Sequence, residues 1–350
     1  MSASPTGSPT GTPSGSQAAS GEKNLGRSLA IGAVFGLVVL GVLAAWADVR
    51  GVGAALLRFP IHVAAIACAL SFANYAIRFL RWQLYLRVLG ISIPAGTSYL
   101  ISLAGLAFTV SPGKLGEAYK SWLVKEVHGA PVHVTAPIVL AERFTDLLAF
   151  LVLIAIGGLG TSPEHAWIFW SVLAGCGALL AFAVSANLQE LALGIAAKLP
   201  LVKKLAPKAR ASLHTMRALL APRELALPTL LATAGWGLEC VGFWLVADAF
   251  VPGAITLSYA AYTFALSAVA GAVLILFPGG LGPTEASMSA LLTPRYVAAG
   301  LTTDAARSSA ASATLVIRLC TLWFAVLVGA IAALIFRRRF RKSSARDKDL

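Results

Sequence analysis

The stretch Leu274-Ile275-Leu276-Phe277-Pro278-Gly279-Gly280-Leu281-Gly282-Pro283-Thr284-Glu285 ends a long apolar run in prolines and glycines and closes on a carboxylate. A second stretch, Val110-Ser111-Pro112-Gly113-Lys114-Leu115-Gly116-Glu117, repeats the pattern earlier in the chain. In each, proline lacks an N–H and stops the incoming helix. The glycines let the backbone turn through positive φ and approach other chain closely. A helix that restarts after such a break offers unpaired N–H groups and a positive dipole end, which suits a phosphate. Lys114 and Lys120 add formal charge beside the first break.

The surroundings of both breaks are apolar. Of 350 residues, 58% are hydrophobic and only 12% charged, and the mean hydropathy is +0.79. A water-soluble domain carries about 25% charged residues. Apolar runs occupy about 28–46, 60–80, 93–110, 134–156, 166–186, 225–250, 256–277 and 305–336. Runs of this length and composition read as membrane-spanning helices. If all eight cross fully, the basic amphipathic stretch 188–224 (Lys198, Lys203, Lys204, Lys208, Arg210, Arg217, Arg223) falls outside, against the positive-inside rule. If the two broken segments, 93–128 and 256–292, are re-entrant hairpins, that stretch and both termini return to the cytoplasm. The expectation is an all-α polytopic protein with about six full spans and two Pro-Gly-broken re-entrant hairpins. The paired breaks of opposite orientation point to an inverted repeat. Residues 1–27 read as a disordered Ser/Gly/Pro-rich tail, 28–336 as the transmembrane domain, and 337–350 as a basic cytoplasmic tail.

The net charge of +13 does not imply nucleic acid. The positive clusters abut apolar runs, as cytoplasmic flanks do, and such flanks attract anionic lipid. Arg78-Phe79-Leu80-Arg81-Trp82 reads in this way as a basic, aromatic cytoplasmic anchor. Trp167/Trp170 and Tyr259/Tyr262 read as aromatic belts. The four cysteines stand singly in apolar runs, and no Cys/His spacing suits a metal. The nucleophile-elbow, P-loop and H-E-x-x-H patterns are missing, so neither an enzyme nor a cofactor is expected.

Ionisable residues inside the runs are the remaining signal. Glu142, Arg143 and Asp146 fall within 134–156, with Glu142 and Asp146 on one helix face and Arg143 within reach of Asp146. Arg318 lies in the last run, and Glu117 and Glu285 lie at the breaks. A charged residue at a helix centre costs about 2.5 to 3.5 kcal/mol on insertion scales, so such residues face partners or water. A paired network that only ties helices together is the plainer alternative.

Taken in order, Arg81-Trp82, Pro112-Gly113-Lys114-Leu115-Gly116-Glu117 with Lys120, Glu142-Arg143-x-x-Asp146, Pro278-Gly279-Gly280-Leu281-Gly282-x-x-Glu285 and Arg318 resemble the lysylphosphatidylglycerol synthase transmembrane family, also called flippase-like. The resemblance covers roughly 28–336. It implies a lipid-translocating or lipid-binding unit of the inner membrane, with both termini cytoplasmic. Lysines at 114 and 120 stand where many relatives carry arginine, so a bidentate phosphate grip is lost there. The chain lacks the soluble aminoacyl-transferase domain of full-length synthases, so it is not expected to make lysyl-lipid. On this resemblance, a phosphate-bearing lipid or polyprenyl-linked headgroup binds at Arg81, Lys114, Lys120 and the helix starts after Pro112, Gly113 and Gly116 and after Pro278, Gly279, Gly280 and Gly282. Glu117, Glu142, Asp146 and Glu285 orient the cations or receive an amine, and Arg143 and Arg318 complete the set. The alternatives are a non-transporting subunit that presents lipid-linked substrates to a glycosyltransferase or lipid-modifying enzyme, and an intramembrane transferase, for which no nucleophile–base pair is present. Association with further copies of itself stays open.

Overall fold

The computed structural model describes residues 49–110, 117–158, 166–196, 200–273 and 278–346, and no strand occurs among them. In chain order the helices are α1 (Val49–Leu57), α2 (Ile61–Val88), α3 (Ala95–Leu106), α4 (Tyr119–His128), α5 (Val132–Thr135), α6 (Pro137–Gly158), α7 (Ala166–Val184), α8 (Ala186–Ala196), α9 (Pro200–Leu219), α10 (Pro222–Phe250), α11 (Leu257–Val273), α12 (Pro283–Ala298), α13 (Thr303–Arg318) and α14 (Phe324–Arg346). A 3₁₀ turn at Pro278–Gly280 precedes α12, and a π turn at Leu319–Trp323 joins α13 to α14. The expected tail 1–27, the apolar run 28–46 and residues 111–116 lie outside the described residues, among them Pro112, Gly113, Lys114 and Gly116.

Among the described residues, three helices are long and apolar enough to cross a membrane by length and composition: Ile61–Val88, Pro222–Phe250 and Thr303–Phe340. At 1.5 Å per residue, the 28 residues of α2 extend about 42 Å, more than the hydrocarbon thickness of about 30 Å. Helix α6, with 22 residues, is long enough as well, but Glu142, Arg143 and Asp146 dilute its apolar character. The 12 residues of α3 reach only about 18 Å and cannot cross alone. The chain is therefore an all-helical polytopic membrane protein.

The run 166–186 ends close to its expected boundary, in a bend where the segments Phe169–Val184 and Ala186–Ile195 meet at 86°. Ser185 Oγ accepts the Leu188 N–H at 3.3 Å, while the Gln189 side-chain amide donates to Phe182 O and Ala183 O at 3.2 and 2.7 Å. Side chains thus take over the backbone groups that the bend releases. The stretch 188–224 is accordingly divided among α8, α9 and the first turn of α10. The aromatic-belt reading of Tyr259 and Tyr262 is corrected, because both are buried. Gly158 leaves the room that the Tyr262 ring fills, and Tyr259 Oη donates to Leu291 O at 3.0 Å.

The packing pairs distant parts of the chain: α2 lies against α10, α3 along α14, α11 along α6 and α12 along α13. Small residues permit the tightest of these approaches, as in membrane bundles generally. A Cβ added to Gly329 of α14 would stand 2.9 Å from Ala107 Cα, just past the end of α3. One added to Gly157 of α6 would stand 2.9 Å from Tyr262 N on α11.

Candidate functional site

The second interruption touches the end of the apolar segment that leads into the first. Gly279 holds φ +64°, and a Cβ placed on it would lie 3.1 Å from Val110 Cα and 3.3 Å from Thr109 O. Only glycine suits both that dihedral and that approach. Val110, Leu281 and Leu322 pack in one apolar cluster, so the second break and the chain leading into the first are joined beside the π turn.

The second break is fixed by ion pairing and capping together. Glu285 stands at the third position of α12, and its Oε2 accepts the Gly282 N–H at 2.6 Å, as in a capping box. Its Oε1 contacts Arg318 Nε at the end of α13. Arg318 also reaches Gly279 O at 3.5 Å. Glu285 is buried, with Arg318 at the edge of the core, so this pair serves to hold the restarting helix in place.

A larger network lies beside the first break. On α2, Asn74, Arg78, Arg81 and Tyr85 recur at helical spacing and share a face. Arg81 donates to Asp146 Oδ1 at 2.7 Å and to Thr145 Oγ1 at 3.2 Å. Trp236 Nε1 donates to the same Asp146 oxygen at 2.9 Å, and Arg143 reaches Oδ2 at 3.1 Å. Lys120 on α4 contacts Glu142 and lies 4.7 Å from the centre of the Trp82 ring. Its methylenes run across Gly105 of α3, where a Cβ would meet Lys120 Cγ at 2.6 Å. Glu117, immediately after the first break, lies 3.1 Å from Arg143 and 3.9 Å from Arg78. On α10, Glu239 accepts from the Asn74 amide at 2.7 Å.

Two narrow clefts open onto this network. The first is lined by Tyr75, Arg78, Ser102, Gly105, Lys120 and Glu142, among others. The second is lined by Asn74, Arg78, Arg81, Asp146 and Trp236 with apolar neighbours. Arg78 belongs to both.

Residues 30–329 match the family described as the lysylphosphatidylglycerol synthase TM region. The chain belongs to that family. No curated protein matches it in a direct search. The family's transmembrane region is thus represented here by a bundle in which the second Pro-Gly break meets the chain leading into the first, and much of the buried charge collects on α2, α4 and α6.

For this family member, the structure brings Arg81, Glu117, Lys120, Glu142, Arg143 and Asp146 into one network. Gly279, Gly280, Gly282, Glu285 and Arg318 form the second break, and the backbone of Pro278 opens its 3₁₀ turn. The anchor reading of Arg81-Trp82 is corrected. Arg81 is 1% exposed and Trp82 fully buried, with Trp82 Nε1 donating to Ser98 Oγ at 3.2 Å. A cation at the end of an apolar run reads as an interfacial anchor from sequence, yet Asp146 draws it inside. The site set drawn from the sequence omits Arg78, Asn74, Thr145 and Trp236. The spacing 74, 78, 81 on an apolar helix was a legible signal for the first two. For Trp236 and Thr145 no signal exists without the tertiary fold.

Proposed function

We propose that this protein binds a phosphate-bearing lipid headgroup in the polar interior beside its first break and moves it between leaflets of the inner membrane. The observation that carries this reading is the contact of Gly279 with Val110, next to a buried network of ionised side chains and its clefts. Irregular backbone at membrane depth needs protein or a polar cavity around it, because lipid satisfies no N–H or C=O. Broken helices that meet at the centre of a bundle are the arrangement in which transporters bind polar substrates.

The packing of α3 on α14 and of α11 on α6 supports two inverted halves. In each, a short entering helix lies along a span of the other half. Rocking of these halves would open the clefts to one leaflet and then the other. Both termini are cytoplasmic in this reading, and no bond of the substrate is made or broken. The test is reconstitution in liposomes with fluorescent lipids of several headgroups. Translocation faster than in protein-free vesicles, for at least one phosphate-bearing headgroup, is the expected result. Rates no faster than those of protein-free vesicles for every headgroup would remove the transport reading.

A further inference from the structure

We infer that Arg78, with Arg143, is the cation pair that contacts the lipid's anionic group, and that Glu117 occupies the place of that group until the lipid arrives. This rests on the headgroup-binding reading above and assigns its residues. Lys120 and Arg81 carry the positive charge most evident in the sequence, but both are spent on the frame. Lys120 is 4% exposed and in contact with Glu142, and Arg81 is 1% exposed and bonded to Asp146 and Thr145. A ligand could reach either only by breaking a buried pair, a step that leaves an uncompensated charge in a medium of low dielectric.

Arg78 and Arg143 differ. Their side chains are 14% and 21% exposed, the most open cations of the network. Among the described residues, the ion-pair contact of Arg78 is Glu117 at 3.9 Å, too long for a hydrogen bond. Arg78 is also among the residues that line both clefts. Arg78 and Arg143 both face the Glu117 carboxylate, at 3.9 and 3.1 Å, as they would face a phosphate. Glu117 stands in the 3₁₀ turn directly after the first break. In this assignment an anionic oxygen group takes the position of the Glu117 carboxylate between the two arginines. Guanidinium suits this role because its planar fork donates to two oxygens at once.

The test is equilibrium binding to the full-length protein in detergent micelles, with short-chain fluorescent lipids as probes. The probes bear a phosphodiester monoanion (phosphatidylglycerol), a zwitterion (phosphatidylcholine) or no charge (diacylglycerol), and inorganic phosphate is added as competitor. Glu117→Gln removes the resident anion at nearly constant shape. It is expected to tighten the phosphatidylglycerol probe several-fold and to leave diacylglycerol unchanged. Arg78→Gln is expected to weaken phosphatidylglycerol about tenfold, the size of one hydrogen bond to a charged group. Arg78→Lys should recover part of that loss. Thermal unfolding of each variant separates misfolding from lost contact, because a merely structural Glu117 would lower stability and binding together. Weaker or unaltered phosphatidylglycerol binding in a well-folded Glu117→Gln protein overturns the assignment but leaves headgroup binding standing. Wild-type protein that binds the three lipids equally overturns both. Competition by inorganic phosphate at millimolar concentration marks the phosphate alone as the recognised group; its failure to compete shows that the lipid is required, and the assignment holds in either case.

Discussion

Asp146 is the residue on which most of the network converges: it takes Arg81, Arg143 and the indole of Trp236 from three helices. Removing its charge leaves Arg81 buried without compensation, a change worth about 3 to 5 kcal/mol for a buried pair. Asp146→Asn should accordingly lower the unfolding temperature markedly in a detergent melt. Arg81→Met combined with Asp146→Leu should restore most of the loss, since apolar replacement of a whole pair is often neutral. Full stability of Asp146→Asn would show that the pair is not as desolvated as its burial indicates. At this scale the sequence was readable for residue type but not for role. Glu142, Arg143 and Asp146 stand out in an apolar helix because insertion of charge is expensive. Which cation faces which acid follows from a rotation and approach of α2 on α6 that no spacing within either helix encodes. Arg78 and Arg81 are indistinguishable in sequence, yet Arg81 is 1% exposed and hydrogen-bonded to Asp146 while the Arg78 side chain is 14% exposed.

Among the elements, the second break has the most definite geometry. A Cβ on Gly279 would face two separate obstacles, a positive φ and Val110 Cα at 3.1 Å. Gly253, at φ +74°, shares the first obstacle but has nothing within 4 Å. Gly253→Ala therefore isolates the cost of the dihedral, of order 1 kcal/mol. Gly279→Ala should lower stability by about 1 to 3 kcal/mol more through overpacking and should slow translocation where Gly253→Ala does not. Equal melting temperatures and rates for the two variants would mean that Gly279 and Val110 are not in firm contact. The existence of both breaks was legible, because proline and glycine act locally on backbone freedom. The 86° bend at Ser185 was not. Its causes are two side chains, Ser185 and Gln189, that take up released backbone groups, and such residues also occur on straight helices. The π turn before α14 carries no clear sequence mark either.

For the whole molecule, sidedness is the open property with the widest consequences. In a background with the four native cysteines replaced by alanine, Lys125→Cys and Arg217→Cys should both react with an impermeant maleimide from the cytoplasmic side alone. Reaction of the two from opposite sides would break the hairpin topology. The positions lie on α4 and α9, which the packing of α5 joins: Ser212 Oγ on α9 donates to His133 O on α5 at 2.7 Å, and α5 packs on α4. The sequence by itself determined that this is a polytopic helical membrane protein, that prolines and glycines interrupt its apolar run at Pro278–Gly282, and which family it belongs to. Hydrophobic run length, proline and glycine are properties of a chain segment and its solvent, and need no partner to be read. Only the tertiary structure decided that the second break meets the chain leading into the first, that Lys120 and Arg81 are consumed by Glu142 and Asp146, and that Arg78 stays more exposed than either. Ion pairing in a low-dielectric interior depends on distances of a few ångströms between residues far apart in the chain, and those distances are fixed by helix packing rather than by spacing along any one helix.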